Sequence, residues 1–351
     1  MGSNSGKYLH RGIDSLGRNY SRLRNRKTNE DMQTRIAQVT AARDLSADPV
    51  LLSAIEADPT PPGSFSDIKT PGLVGSGQQY DRAVWKNVDF SGGEFVDTLL
   101  GGATIDQSTL DAVNFDESWM ADSEWQGSSA RGATANKANL AYARFDDCDL
   151  TGMTGKGSVF TGAAFSNGSS LADSKFEGAV FSNARFDAES DMDNADMSGC
   201  TMQEVGLPGL TGTNLSGADL KRAYSIGRTH SQADMSEADI SRTNWAGSNM
   251  AGCDFSRSRS NIGSPASFVN SDISGTSFVG AELQDVDFEA TKITGSTFVG
   301  ADLTGANFAG AELNNVDFTN AKIGGANFTG ATVNGRPYVD ASSLTATNVT
   351  A

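Results

Sequence analysis

The sequence predicts a repeat solenoid over most of its 351 residues, and two observations carry that expectation. Large apolar residues recur at every fifth position over long stretches, and a small or β-branched residue stands two places before most of them. Neither an α-helix, with period 3.6, nor a β-strand, with period 2, has a period of five. A solenoid grows by adding coils, so the length does not by itself demand two globular domains.

Residues 1–58 stand apart as a basic, partly helical N-terminal arm. Residues 1–43 hold nine Lys/Arg against three Asp/Glu, a net +6, whereas residues 81–351 hold seventeen against thirty-five, a net −18. Arg11, Arg18, Arg22, Arg24, Arg26 and Lys27 fall in one stretch with a single acid, Asp14. Thr28 is placed to cap a helix, and Met32, Ile36 and Val39 follow at helical spacing. A second short helix is expected from Pro49 through Leu51, Leu52 and Ile55, with Asp48 as its cap. Helices this short are marginal alone, so they need a surface, either the open first coil near Trp85 and Phe90 or another protein. These nine residues, Arg11 to Val39, are the candidate anchoring set. Residues 59–84, rich in Pro and Gly, read as a linker.

The repeats fill residues 85–338. From Phe268, steps of five give Ile273, Phe278, Leu283, Phe288, Ile293, Phe298, Leu303, Phe308, Leu313, Phe318, Ile323, Phe328 and Val333. From Phe90 the series runs to Phe165, interrupted only by Ala130, Ala135 and Gly155. Phe65 is read as lying off the lattice. The local text, Ala301-Asp302-Leu303-Thr304-Gly305 then Ala306-Asn307-Phe308-Ala309-Gly310, resembles the motif of the pentapeptide-repeat family. That resemblance implies an all-β solenoid, a right-handed quadrilateral parallel β-helix. Each repeat would form one side of a square coil, with four repeats per turn and the centre and small residues pointing inward. Coils about 4.8 Å apart would make a rod of about a dozen turns. Strict alternation of Phe with Leu or Ile from Phe278 to Phe328 then predicts Phe stacked on Phe along two opposite faces.

The lattice slips near Asn167, near Glu189 and near Gly209, at intervals of four centres, so these three are expected on one edge of the rod. The third is read as an insertion of three residues between Leu207 and Leu215. The motif fades around Ser225 to His230, which includes Arg228, and breaks again over residues 256–267, which include Arg257 and Arg259. Asn167, Glu189, Gly209, Arg228, Arg257 and Arg259 are therefore candidate lateral loops for contact with a partner. Residues 339–351 form a C-terminal tail.

Little in the sequence points to chemistry. There are two histidines, too few for a His-rich metal site, and His230 is assigned to a loop break. Three cysteines, an odd and sparse count, argue against a disulfide framework. Cys148, Cys200 and Cys253 each precede a centre by two, so they are expected as buried fillers. Asp and Asn are explained by the motif, which places them just before the centre. No Walker loop, Cys-x-x-Cys or secretory h-region is present. No enzyme, cofactor, metal site or membrane contact is expected, and the chain reads as cytoplasmic or virion-associated. The resemblance implies several functions. The favoured expectation is a structural or interaction protein in a larger assembly, such as a phage decoration or tail-associated protein, held by its arm to a protein partner. The alternative is an acidic DNA mimic acting on a type II topoisomerase such as gyrase; such members dimerise through a C-terminal helix, and residues 341–351 carry no amphipathic pattern. A secreted bacterial effector is the third.

Overall fold

The computed structural model describes residues 63–340. They form a parallel β-solenoid of about 13 turns, which at about 4.8 Å per turn is roughly 60 Å long. Among the described residues there is no helix. The arm, its two expected helices and the tail beyond residue 340 lie outside the described residues.

Each coil has four faces, and the register is fixed by pairing every twenty residues. On the first face seven short strands pair in order: β1 (Phe65–Ser66), β2 (Val84–Lys86), β3 (Thr104–Asp106), β4 (Glu124–Gln126), β5 (Arg144–Asp146), β6 (Ala164–Ser166) and β7 (Arg185–Phe186). The other faces are built mostly from single parallel bridges such as Asp89 to Thr109. On the second face β8 (Lys292–Thr294), β9 (Glu312–Asn314) and β10 (Thr332–Val333) pair in parallel, and β11 (Arg336–Pro337) closes the stack as an antiparallel partner of β10.

One repeat shows why this sequence adopts this path. In Val88–Gly92 every backbone N–H finds an acceptor, as buried backbone must. Val88 N donates to Ser108 Oγ (3.2 Å), and Ser91 N to Asp89 Oδ1 (3.1 Å). Asp89 N donates to Ile68 O (2.8 Å), Phe90 N to Thr109 O (2.9 Å) and Gly92 N to Asp111 O (2.7 Å). The corner is then closed by Gly93 N on Phe90 O (2.8 Å). The Asp or Asn before each centre thus satisfies a donor that the tight corner leaves without a strand partner, as an Asx turn does. The second corner residue takes positive φ, at Gly92 (65°) and equally at Arg222 and Arg242 (61° each).

The interior is a column of stacked centres. Along the first face Phe268, Phe288, Phe308 and Phe328 stack with centroids 5.2, 4.9 and 5.0 Å apart. Along the third, Phe255, Phe278, Phe298 and Phe318 stack at 5.2, 4.8 and 5.2 Å. The two columns meet edge-on, as Phe298 and Phe308 do at 6.0 Å. This is the expected alternation, and it satisfies the ring quadrupoles in both directions. Gly155 can occupy a centre because the Phe176 ring fills its place; a Cβ there would meet that ring at 2.8 Å.

Many of the small inward positions are Ser or Thr rather than Ala or Val, and several of their hydroxyls bond to the coil below. Ser118 donates to Phe95 O (2.7 Å), Thr276 to Met250 O (2.8 Å) and Ser296 to Ile273 O (2.6 Å). Cys148, Cys200 and Cys253 are buried at the same kind of position. Cys200 Sγ donates to Phe176 O (3.0 Å). Burial pushes the Cys148 thiol up to about 11 and those of Cys200 and Cys253 up to about 12, so all three stay protonated.

Three assignments from sequence change. Residues 65–84, given to a linker, form the first coil: Phe65 pairs with Trp85, and its ring packs against Phe90 at 5.5 Å. Phe65 is therefore on the lattice, in phase with Tyr80 and Trp85, and was obscured because Thr70 and Gly75 stand at the centres between. His230 and Ser225 are not in a break either. Both are fully enclosed at centre positions, where Ser225 Oγ donates to Leu207 O (2.9 Å). The period holds through them because the ladder pairs backbone, which is indifferent to the side chain at the centre. Finally, the stack ends on a hairpin. Asn334 and Gly335 both take positive φ (49° and 73°), the geometry of a two-residue turn, and Tyr338 lies on Phe328 at 4.5 Å.

Candidate interaction surface

On the regular walls most of the described basic side chains pair with an acid, usually of a neighbouring coil, and the acids left over make the rod acidic. Lys292 meets Asp272 at 2.7 Å, Arg222 meets Glu204 at 2.7 Å, Arg257 meets Glu237 at 2.8 Å and Lys322 meets Asp302 at 3.1 Å. The most enclosed acid is Asp239, whose side chain is 4% exposed between Lys221 (3.1 Å) and Arg259 (3.0 Å). Burial opposes its ionisation, yet hydrogen bonds from Ser241, Lys221 and Arg259 outweigh that and hold its carboxyl below the usual value.

Departures from the lattice fall on two adjacent corners. Between the first and second faces, coils lengthen by one residue at Asn167 and again near Glu189, as Asp149 pairs with Ser170 and Ser170 with Asp191. Both bulges are exposed, and Asn167 N donates to Asp187 Oδ2 (2.5 Å). The third irregularity lies at the same corner but has the opposite sense. Asp196 pairs with Asn214, so this coil is shorter by two. Leu210 is itself a buried centre, and Leu207 and Pro208 are buried. The expected insertion at Gly209 is thus a tightened corner, made possible by Pro208-Gly209.

The corner between the fourth and first faces carries the largest excursion. Asn244 pairs with Ser267, a coil longer by three, and the extra residues lie within 261–265. Arg257 and Arg259, read as parts of this break, stand on regular sides before it. Arg228 likewise lies on the ladder, half-buried, with its N–H on Ser248 Oγ (3.3 Å). The backbone at these positions follows the repeat, and only side-chain chemistry departs from the motif. Asn167, Glu189 and Gly209 thus share one corner, the 261–265 excursion lies one corner away, and Arg228, Arg257 and Arg259 follow the regular repeat. The anchoring set, Arg11 to Val39, lies outside the described residues.

Sequence reasoning missed what stands beside the long corner. Tyr224 (51% exposed) and Ile226 (56%) point outward from the first face, and Ile262 (74%) tops the loop. The Tyr224 ring lies over Gly206, where a Cβ would meet it at 2.9 Å. Phase alone reveals the first two, since they flank the centre Ser225 where the motif places polar residues. A cleft of about 300 Å³ opens in the same region, lined by Gln203, Lys221, Arg222, Ser241, Arg242, Asn261 and Ser264. Among the described residues no group of three His, Cys, Asp or Glu is arranged to hold a metal ion, and no helix is long and apolar enough to cross a membrane.

Two family models, both described as pentapeptide repeats, match the chain. One matches in eight copies within residues 114–152, 138–169, 231–259 and 296–335, the other in nine copies over residues 157–206. Among solved structures, HetL, a pentapeptide repeat protein of the cyanobacterium Nostoc sp. strain PCC 7120 involved in heterocyst differentiation regulation, is 17% identical. The match covers 80% of this chain and 92% of that one, with a TM-score of 0.28. Full-length QnrB1, a plasmid-mediated fluoroquinolone resistance protein, is 15% identical over 77% of this chain and 93% of that one, with a TM-score of 0.20. A pentapeptide repeat protein of the Arabidopsis thaliana thylakoid lumen is 28% identical over 28% of this chain and 59% of that one, also with a TM-score of 0.20. Likeness at this level is one of fold only. A comparison with curated proteins finds no match. The five-residue text, its four-sided register and the family models converge: the chain belongs to the pentapeptide-repeat family.

Proposed function

We propose that this protein is a non-enzymatic interaction protein that takes its place in a larger protein assembly. The observation that carries this reading is the exposure of Tyr224 and Ile226 on the first face and of Ile262 on the 261–265 corner, on a rod whose basic side chains are mostly held by its own acids. Isolated exposed apolar residues are ordinary, but two that flank one centre of the same face, Tyr224 and Ile226, are what an interface offers. The basic arm completes the proposal: Arg11, Arg18, Arg22, Arg24, Arg26 and Lys27, with Met32, Ile36 and Val39, serve as its anchor, and the rod presents its flank to a second contact. Neither the fold nor the family singles out a virion as that assembly.

The test deletes residues 1–27 and, separately, replaces Tyr224 and Ile226 by Ser. Incorporation into the native complex is measured alongside melting of the purified chain. Loss of incorporation with unchanged melting supports the reading, and normal incorporation by both variants refutes it. A DNA mimic is the second reading, favoured by the −18 of residues 81–351. It predicts inhibition of gyrase supercoiling by the rod alone, an assay that the first reading expects to be silent.

A further inference from the structure

The cleft at the corner between the fourth and first faces is cationic on an otherwise acidic rod. Three of its lining residues, Lys221, Arg222 and Arg242, carry positive charge, and none carries negative charge. Two of the three are already engaged. Lys221 holds Asp219 (3.0 Å) and Asp239 (3.1 Å), and Arg222 holds Glu204 (2.7 Å). Arg242 differs: its Nε donates to Ser264 Oγ (2.9 Å), and among the described residues it has no carboxylate partner. The guanidinium is thus fixed at one nitrogen, which leaves its two terminal nitrogens free for the planar, two-pronged pairing that oxyanions accept.

The long corner builds the other wall of the cleft. Asn261 N donates to Ser241 Oγ (2.9 Å) and Ala266 N to Ser260 Oγ (2.9 Å). Ser264 N bonds to Asn261 O (2.9 Å), and Arg242 N to Ser264 O (2.9 Å). The excursion is therefore tied to the coil beneath it at both ends, and it contributes Asn261 and Ser264 to the lining. Gln203 adds an amide on the opposite side, although its Nε2 also donates to Asp219 (2.7 Å). The Ser241 hydroxyl is spent on Asp239 Oδ1 (2.6 Å), so Arg242, the Ser264 hydroxyl and the Asn261 side chain are the donors that face a space large enough for a carboxylate or a tetrahedral oxyanion.

We infer that this cleft is an oxyanion-binding site in which Arg242 is the recognising residue and the 261–265 corner supplies the neutral donors. The anion has two available sources, the carboxylate of an acidic segment in a protein partner and a free inorganic oxyanion. Both have the same chemistry at Arg242. The apolar neighbours Tyr224, Ile226 and Ile262 suit the first, since they would receive the side chains beside such a carboxylate.

The full chain is titrated calorimetrically at constant ionic strength with sodium sulfate, and separately with a blocked Leu-Glu-Leu tripeptide, against a chloride reference. Arg242 sits at positive φ, so the variant is Arg242→Asn, which tolerates that backbone and removes the cation together with its hydrogen bond to Ser264; unchanged melting confirms its fold. Saturable binding of either probe, weakened at least tenfold in Arg242→Asn, is the expected result. Sulfate binding without peptide binding identifies a free-anion site, and tighter binding of the peptide identifies a partner carboxylate. Absence of saturable binding by both, or binding unaffected by Arg242→Asn, overturns the inference.

Discussion

His230 is the most exposed weakness of this core, and its replacement by Leu should strengthen the protein. The ring is fully enclosed at a second-face centre, beside Trp245 at 5.3 Å edge-on; neither ring nitrogen makes a hydrogen bond of ordinary geometry, and the Ser225 backbone offsets its burial only in small part. Enclosing unpaired polar atoms costs about 1–3 kcal/mol, whereas Leu is close to His in volume and matches the chemistry of the buried Leu210 and Met250 that occupy the same face. A gain of about 1–3 kcal/mol is expected at pH 7. A second effect depends on pH. Burial first, and then the charge of Arg228, push the His230 pKa down to about 4, against about 6.5 in the unfolded chain. Between those values the unfolded state binds the proton and the folded state does not, so stability contributed by the neutral ring is complete above pH 6.5 and is lost as pH falls toward 4. At pH 4.5 the loss is about 2–3 kcal/mol. The advantage of His230→Leu should therefore be larger at pH 4.5 than at pH 7 by that amount. Hydrogen exchange of the coils around residues 210–250 is the suitable assay, because a solenoid opens by neighbouring coils rather than as one unit. A variant no more stable than the parent, or one with the same advantage at both pH values, refutes the reasoning.

Four further outcomes are expected. Phe308→Ala should cost about 3–5 kcal/mol through lost burial and a residual cavity, read by denaturation; a change under about 1 kcal/mol contradicts the stacked core. Asp239→Asn should cost about 1–2 kcal/mol at neutral pH and nothing once pH has fallen below the depressed folded pKa of Asp239, because that stability is present above the unfolded value near 3.9 and is lost as the carboxyl protonates; parallel denaturation at pH 7 and in acid checks it. Tyr338→Ala should speed exchange of the last coils, residues 308–333, while leaving those before residue 250 unchanged, since Tyr338 closes the C-terminal end of the stack. Cys148, Cys200 and Cys253 should react with a thiol reagent only after unfolding, and fast labelling of the native chain contradicts their burial.

How much could be read from the chain depended on what each residue does. Centres such as Phe288, Phe298 and Phe308 announce themselves, because a period of five is recoverable wherever the centre is large and apolar. The same signal fails at Thr70, Gly75, Ser225 and His230, where polar or small residues hold centre positions. On this signal alone the first coil reads as linker and His230 as loop. Spacing also misjudges Gly209, since the eight steps from Leu207 to Leu215 can be three added to one side or two removed from two sides. Only the pairing of Asp196 with Asn214 distinguishes them.

By itself, then, the sequence determined the coil. Five-residue phase, the Asp or Asn that satisfies the corner donor and the small inward residue are local requirements, repeated often enough to specify the solenoid without knowledge of its neighbours. What only the tertiary structure decided is what lies between coils. Residues about twenty apart meet across the ladder, so the clamp on Asp239 and the seat of the Arg242 guanidinium on Ser264 of the 261–265 corner arise from register. One residue more or less in a coil moves every later contact along the corner, and a linear reading carries that sum only where every centre is visible.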